Sequence, residues 1–107
     1  MIKVRFSVGD RQLNGFEISG HALFAESGKD IICAAVSSAA YMAANTVTEI
    51  IRADAKAQAE DGAMVLTLNK PNTQAEMVLR GLELHLTELS KQYPQHIKII
   101  YGGVKNA

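Results

Sequence analysis

The chain has a single cysteine, no surplus of either charge, no two adjacent basic residues and no uninterrupted apolar run of membrane-spanning length. Each shortage removes a class of function. One cysteine forms no internal disulfide, and Cys33 with the scattered His21, His85 and His96 does not make a zinc-binding pattern. Eleven Lys+Arg stand against eleven Asp+Glu, a formal net charge of zero. A dedicated nucleic-acid binder carries a basic excess or a basic stripe. Here "KVR" near the start is the densest basic cluster, so no direct nucleic-acid binding is expected. The longest apolar stretch, Ile31 to Ala44, is short for a membrane span and is interrupted by Ser37 and Ser38. The opening "MIKVRFSV" alternates where a signal peptide would be continuously apolar. No Gly-rich phosphate loop, acidic metal cluster or dinucleotide fingerprint occurs. The expectation is a cytoplasmic protein with a reduced thiol, no metal, no cofactor and no membrane contact.

The residues that are present describe one small folded domain. At 107 residues the chain has the length of one unit with one core. Hydrophobic residues at 48% against 21% charged place it among chains that fold. Ile2, Val4, Phe6 and Val8 alternate with polar residues, the period of a half-buried strand. "GDRQLNG" turns the chain and "FEISGH" returns it, ending at His21. Residues 22–29 read as a loop, apolar at Leu23 and Phe24, with Gly28 as a flexible point. Asp30 is expected to cap a long helix from Ile31 to about Ala53, with a stripe of Cys33, Val36, Ser37, Ala40, Ala44, Val47 and Ile51. A hairpin turns at Asp61-Gly62. Thr73 and Glu76 form an expected capping box for a second helix, which Tyr93-Pro94 ends near Lys91. "HIKIIY" is a last strand, and Gly102-Gly103 read as a frayed end. The fold class expected is α+β in the order ββαββαβ, a mostly antiparallel sheet covered on one face by two helices. Met77 and Leu84 fall off the second helix's main stripe, which motivates a homodimer.

Cys33 has two readings. Free cysteine is among the most buried residue types, and its small apolar neighbours favour a place in the core. Three residues after the expected cap, however, it would sit in the first helical turn. Unpaired N–H groups and the positive end of the helix there favour an anionic sulfur and could hold an oxyanion. A strand end and a helix start joined by a nine-residue loop also come close in space, which would leave His21 free to act as base. His85, on a helix flank, and His96, after Pro94, read as ordinary surface histidines. Asp30 reads more simply as a cap than as a residue orienting His21. Ser38 reads as a close-packing helical residue that could also donate a hydrogen bond within a site.

"GHA" followed by "SGKDIICAAVSSA" resembles the ribosomal-processing cysteine proteases, a bacterial family. "GHA" alone is weak; its combination with "GKDIICAAVS" at this spacing is specific, and the likeness runs over nearly the whole chain. The resemblance implies a catalytic pair matching Cys33 and His21, with motif positions matching Gly28, Asp30 and Ser38. It implies a loop between His21 and Cys33 over the substrate site, with Leu23 and Phe24 facing the peptide, and a homodimer. The implied substrate is the precursor of a large-subunit ribosomal protein, L twenty-seven, which loses a short N-terminal extension. Ile32, where relatives often carry Val, is the one departure seen and is conservative. Two rivals stay open at this point. One is a module that binds a ribosomal protein without cutting it; the other is a thiol redox sensor, which lacks a resolving cysteine in this chain.

Overall fold

The computed structural model describes residues 1–20, 29–60 and 62–103, with only the backbone of Lys29 and Asp30. Strands β1 (Ile2–Gly9) and β2 (Gln12–Ser19) form the first hairpin. Its two turn residues, Asp10 and Arg11, both have positive φ, 52° and 65°. That is the primed turn whose twist matches paired strands. Helix α1 (Lys29–Asn45) follows and runs on into a wider π turn, Thr46–Ile51. Two threonine hydroxyls donate back into the helix there, Thr46 to the Met42 carbonyl at 2.7 Å and Thr48 to the Ala44 carbonyl at 3.1 Å. Such back-bonding competes with the regular ladder and accompanies its widening. Arg52, in the left-handed region at φ 59°, ends the run. Strands β3 (Ala55–Glu60) and β4 (Ala63–Leu68) form the second hairpin. Of its turn, Gly62 has φ 82°, while Asp61 lies outside the described residues.

Helix α2 (Thr73–Gln92) and strand β5 (Ile97–Gly103) complete the chain. The sheet order is β3-β4-β2-β1-β5. Three ladders are antiparallel; β5 crosses over through α2 and pairs in parallel with β1, Ile2 opposite Ile97 through Val8 opposite Gly103. The expected α+β architecture is thus present, as a five-stranded mixed sheet with two helices. Alternation decides which face is covered. Val4, Phe6, Phe16, Ile18, Met64 and Leu66 are buried, while Lys3, Thr67 and Lys98 on the other face are exposed. Against the buried face lie Val36, Ala40, Ala43 and Ala44 of α1, Val47 of the π turn, and Ala75, Leu79, Leu82 and Leu86 of α2, all in one core.

Several local expectations change. Asn72, not Thr73, caps α2: its side chain accepts from the Ala75 N–H at 2.8 Å. Glu76 therefore closes no capping box. It reaches across to accept from the Leu13 N–H of β2 at 3.1 Å and from Arg80 at 2.8 Å, tying the helix to the sheet. Gly102 and Gly103 are paired strand residues, not a frayed end. A side chain at Gly102 would crowd Arg5, whose guanidinium nitrogen lies 2.5 Å from where its Cβ would stand. The helical run Ile31–Ile51 is, by length and composition, long and apolar enough to cross a membrane, contrary to the shorter span expected. Its apolar face at Val36, Ala40, Ala44 and Val47 is nevertheless spent on the sheet.

Candidate active site

One end of the sheet, where β2 stops and β1 and β5 start, meets the first turns of α1. A cavity of about 170 Å³ opens there, lined by Met1, Ile2, Gly20, Ile32, Cys33, Gln95 and His96. Three features of the chain build it. The first is Gly20, which leaves β2 at φ 84° with its N–H donating to the Gly62 carbonyl at 3.1 Å. A Cβ at Gly20 would collide with the Met1 carbonyl oxygen. Only glycine combines that dihedral with that approach. The second is the seam between the two ends of the chain, where the Ile2 N–H donates to the His96 carbonyl at 2.8 Å. The third is the tight turn after α2. There the Tyr93 carbonyl accepts from the N–H groups of both His96 and Ile97, at 3.0 and 3.2 Å.

Cys33 is half-buried and packs against the core while lining this cavity. One side of the residue therefore belongs to the core and the other faces open space. Its helical position is later than expected. Helix α1 starts at Lys29, so Asp30 lies within the first turn and is not the residue ahead of it. Cys33 begins the second turn. In a helix the unpaired N–H groups belong to the first turn, so the free donors lie one turn before Cys33, and its own N–H belongs to the helical ladder. An oxyanion bound by α1 would meet that preceding turn.

The other sequence-derived positions separate. His21, Leu23, Phe24 and Gly28 lie outside the described residues, as does the side chain of Asp30. Gly20, the residue before His21, is in the cavity wall. Ser38 is exposed and faces away from Cys33. It lines a groove of about 750 Å³ between α1 and α2, with Ala39, Met42, Val78 and His85. The helical repeat explains this, since five residues advance the helix by about 140° from Cys33, whereas four return it to within about 40°. Ser37, half-buried, is the serine on the Cys33 face. His96, which the sequence placed among ordinary surface histidines, is half-buried in the wall of the cysteine's cavity. No local pattern announces it, because the parallel pairing of β5 with β1 is what carries it there. Among the described residues no cluster of His, Cys, Asp or Glu could hold a metal ion.

Residues 1–98 match the family described as cysteine protease Prp. Among named relatives, the ribosomal processing cysteine protease Prp of Bacillus subtilis is 27% identical over 97 residues, covering 84% of this chain and 87% of the relative. The protein of the same name in Mycoplasma pneumoniae is 35% identical over 82 residues, covering 74% and 78%. In structure, the chain resembles an essential ribosomal processing protease Prp from S. aureus in complex with a substrate peptide. The TM-score is 0.86 at 23% identity, over 95% of this chain and 100% of that one. At that identity the structural likeness speaks for the fold.

Proposed function

Because the chain belongs to the Prp family of cysteine proteases, we propose that it is an endopeptidase in which Cys33 is the nucleophile and His21 its base. Its substrate is the N-terminal extension of a large-subunit ribosomal protein, L twenty-seven. The observation that carries this reading is the cavity at the strand ends: the chain's only cysteine lines it, and the residue before His21 lines it too. His21 takes the thiol proton, and the Cys33 sulfur adds to the scissile carbonyl carbon. The C–N bond then breaks, the leaving amine takes the proton held by His21, and an acyl-enzyme remains. A water, deprotonated by His21, adds to the thioester; the acid leaves and the thiol is restored.

Leu23 and Phe24 close over the bound peptide and keep water from it. A second copy covers the outer helical face, where Met42, Met77, Leu84 and Ile50 are exposed by 64 to 76%. Large apolar side chains left in solvent suit an association surface, and light scattering that finds only monomer at working concentration would remove the dimer. The work is done in the cytoplasm, where a reduced thiol is the resting state. Mass spectrometry of the ribosomal-protein precursor incubated with the protein tests the central reading. Wild type removes the extension, and Cys33→Ala, Cys33→Ser and His21→Ala leave the mass unchanged with the fold intact. Cleavage by Cys33→Ala at the wild-type rate refutes it.

A further inference from the structure

We propose that His96 is a substrate-contacting residue, hydrogen-bonding the main chain of the bound peptide beside the bond that Cys33 attacks. The proposal rests on the protease reading and adds a residue to it. A peptide entering the cavity gives up water at its own N–H and C=O groups, and each one left without a partner weakens binding. The side chains of the described wall offer few partners. Met1, Ile2 and Ile32 are apolar, and Gly20 has no side chain. Apart from the thiol, the hydrogen-bonding side chains of that wall are Gln95 and His96.

Of these two, Gln95 is exposed and His96 is half-buried. His96 is also held on both sides by its backbone, through its N–H to Tyr93 and its carbonyl to Ile2. A side chain on a fixed backbone loses less freedom when it binds. Among the described residues the imidazole has no hydrogen-bond or ion-pair partner to give up. A neutral imidazole brings one donor and one acceptor, the pair a peptide unit asks for. The cavity, about 170 Å³, has the size that holds one small ring or side chain, as an engineered cavity of about 150 Å³ holds benzene. The contact therefore falls within one or two residues of the scissile bond.

Three readouts on the full chain test this. The probe is a synthetic peptide spanning the cleavage site of the ribosomal-protein precursor. Binding is measured by fluorescence anisotropy in the Cys33→Ala background, turnover as separate kcat and KM, and thiol reactivity as the rate of alkylation by iodoacetamide without peptide. Losing one hydrogen bond, His96→Ala weakens peptide binding and raises KM by about three- to tenfold, while the alkylation rate stays at the wild-type value. His96→Asn, which keeps a donor and an acceptor, recovers most of the affinity, and a thermal melt compares the folding of both variants. Unchanged affinity and KM in His96→Ala overturn the proposal. So does a collapse of alkylation, which would mean that His96 acts on the thiol. A wild-type protein that binds the peptide without cutting it refutes the protease reading alone, and the binding arm still decides His96. A peptide that wild type neither binds nor cuts overturns both.

Discussion

Two glycines, placed 61 positions apart, should respond to the same substitution with opposite sign. At Gly20 an alanine would have to adopt φ 84°, which costs an L-residue about 1–2 kcal/mol. Its Cβ would also collide with the Met1 carbonyl oxygen. That carbonyl cannot yield freely, because its own peptide is fastened on the other side by the Ile2 N–H donating to the His96 carbonyl, just ahead of β5. Forcing a methyl into a filled site costs about 1–3 kcal/mol. Gly20→Ala should therefore lose about 2–5 kcal/mol out of the total of about 5–15 kcal/mol typical of a domain. With a urea m-value of about 2 kcal/mol/M, the middle of the usual range for small proteins, the unfolding midpoint falls by about 1–2.5 M. Gly81, in the exposed middle of α2, has no heavy atom within 4 Å of its would-be Cβ. Gly81→Ala should raise stability by about 0.5–1 kcal/mol, since alanine has less freedom to lose in a helix. Urea unfolding followed by circular dichroism reads both. Peptide cleavage should fall with Gly20→Ala even in conditions where the variant is folded, because the displaced strand end is a wall of the Cys33 cavity. A Gly20→Ala midpoint within 0.2 M of wild type, or shifts of the same sign at both positions, would refute the reasoning.

Other perturbations follow from the same structure. Glu76→Ala removes the acceptor of the Leu13 N–H and should destabilise by about 1–3 kcal/mol, with Glu76→Gln recovering part of it in the same melt. Ser37→Ala should lower kcat/KM while Ser38→Ala leaves it near wild type, because only Ser37 shares the Cys33 face; equal effects in a peptide assay would count against that geometry. Leu23→Ala with Phe24→Ala should lower kcat/KM for the precursor peptide, and an unchanged value would remove the loop from the mechanism. The Tyr101 hydroxyl donates to Glu83 at 2.7 Å, and this bond to a carboxylate holds the phenol above its ordinary range. The associated stability is full below the ordinary tyrosine value and fades as pH rises through the raised one. Tyr101→Phe should flatten that alkaline decline in thermal melts taken from neutral pH upward.

The sequence made the architecture readable wherever a pattern was local. Alternation in Ile2 to Val8 showed both the strand and the face it buries, and the stripe read along the first helical run correctly named Val36, Ala40, Ala44 and Val47 as buried. Caps were less legible. Asn72 and Thr73 are both good capping residues, and only the hydrogen bond to Ala75 chooses between them. Glu76 looked like half of a capping box because nothing in its neighbourhood reveals Leu13, sixty-three positions away. The candidate site divides in the same way. Cys33 was legible from its helix and its motif, whereas His96 entered the cavity through a pairing between the first and last strands. Which of Ser37 and Ser38 shares the Cys33 face turns on a single position, and in a helix one residue is about 100° of rotation.

The seam between the chain's two ends also orders events in time. A chain growing from its N-terminus has β1, β2 and Cys33 long before it has β5. Until residues 96 and 97 arrive, Ile2 has no partner on its open side and the wall beside Cys33 is missing. Contacts spanning nearly the entire chain are the slowest to form. The cysteine is therefore made early and its cavity late, so a nascent or C-terminally shortened chain carries the thiol without the site.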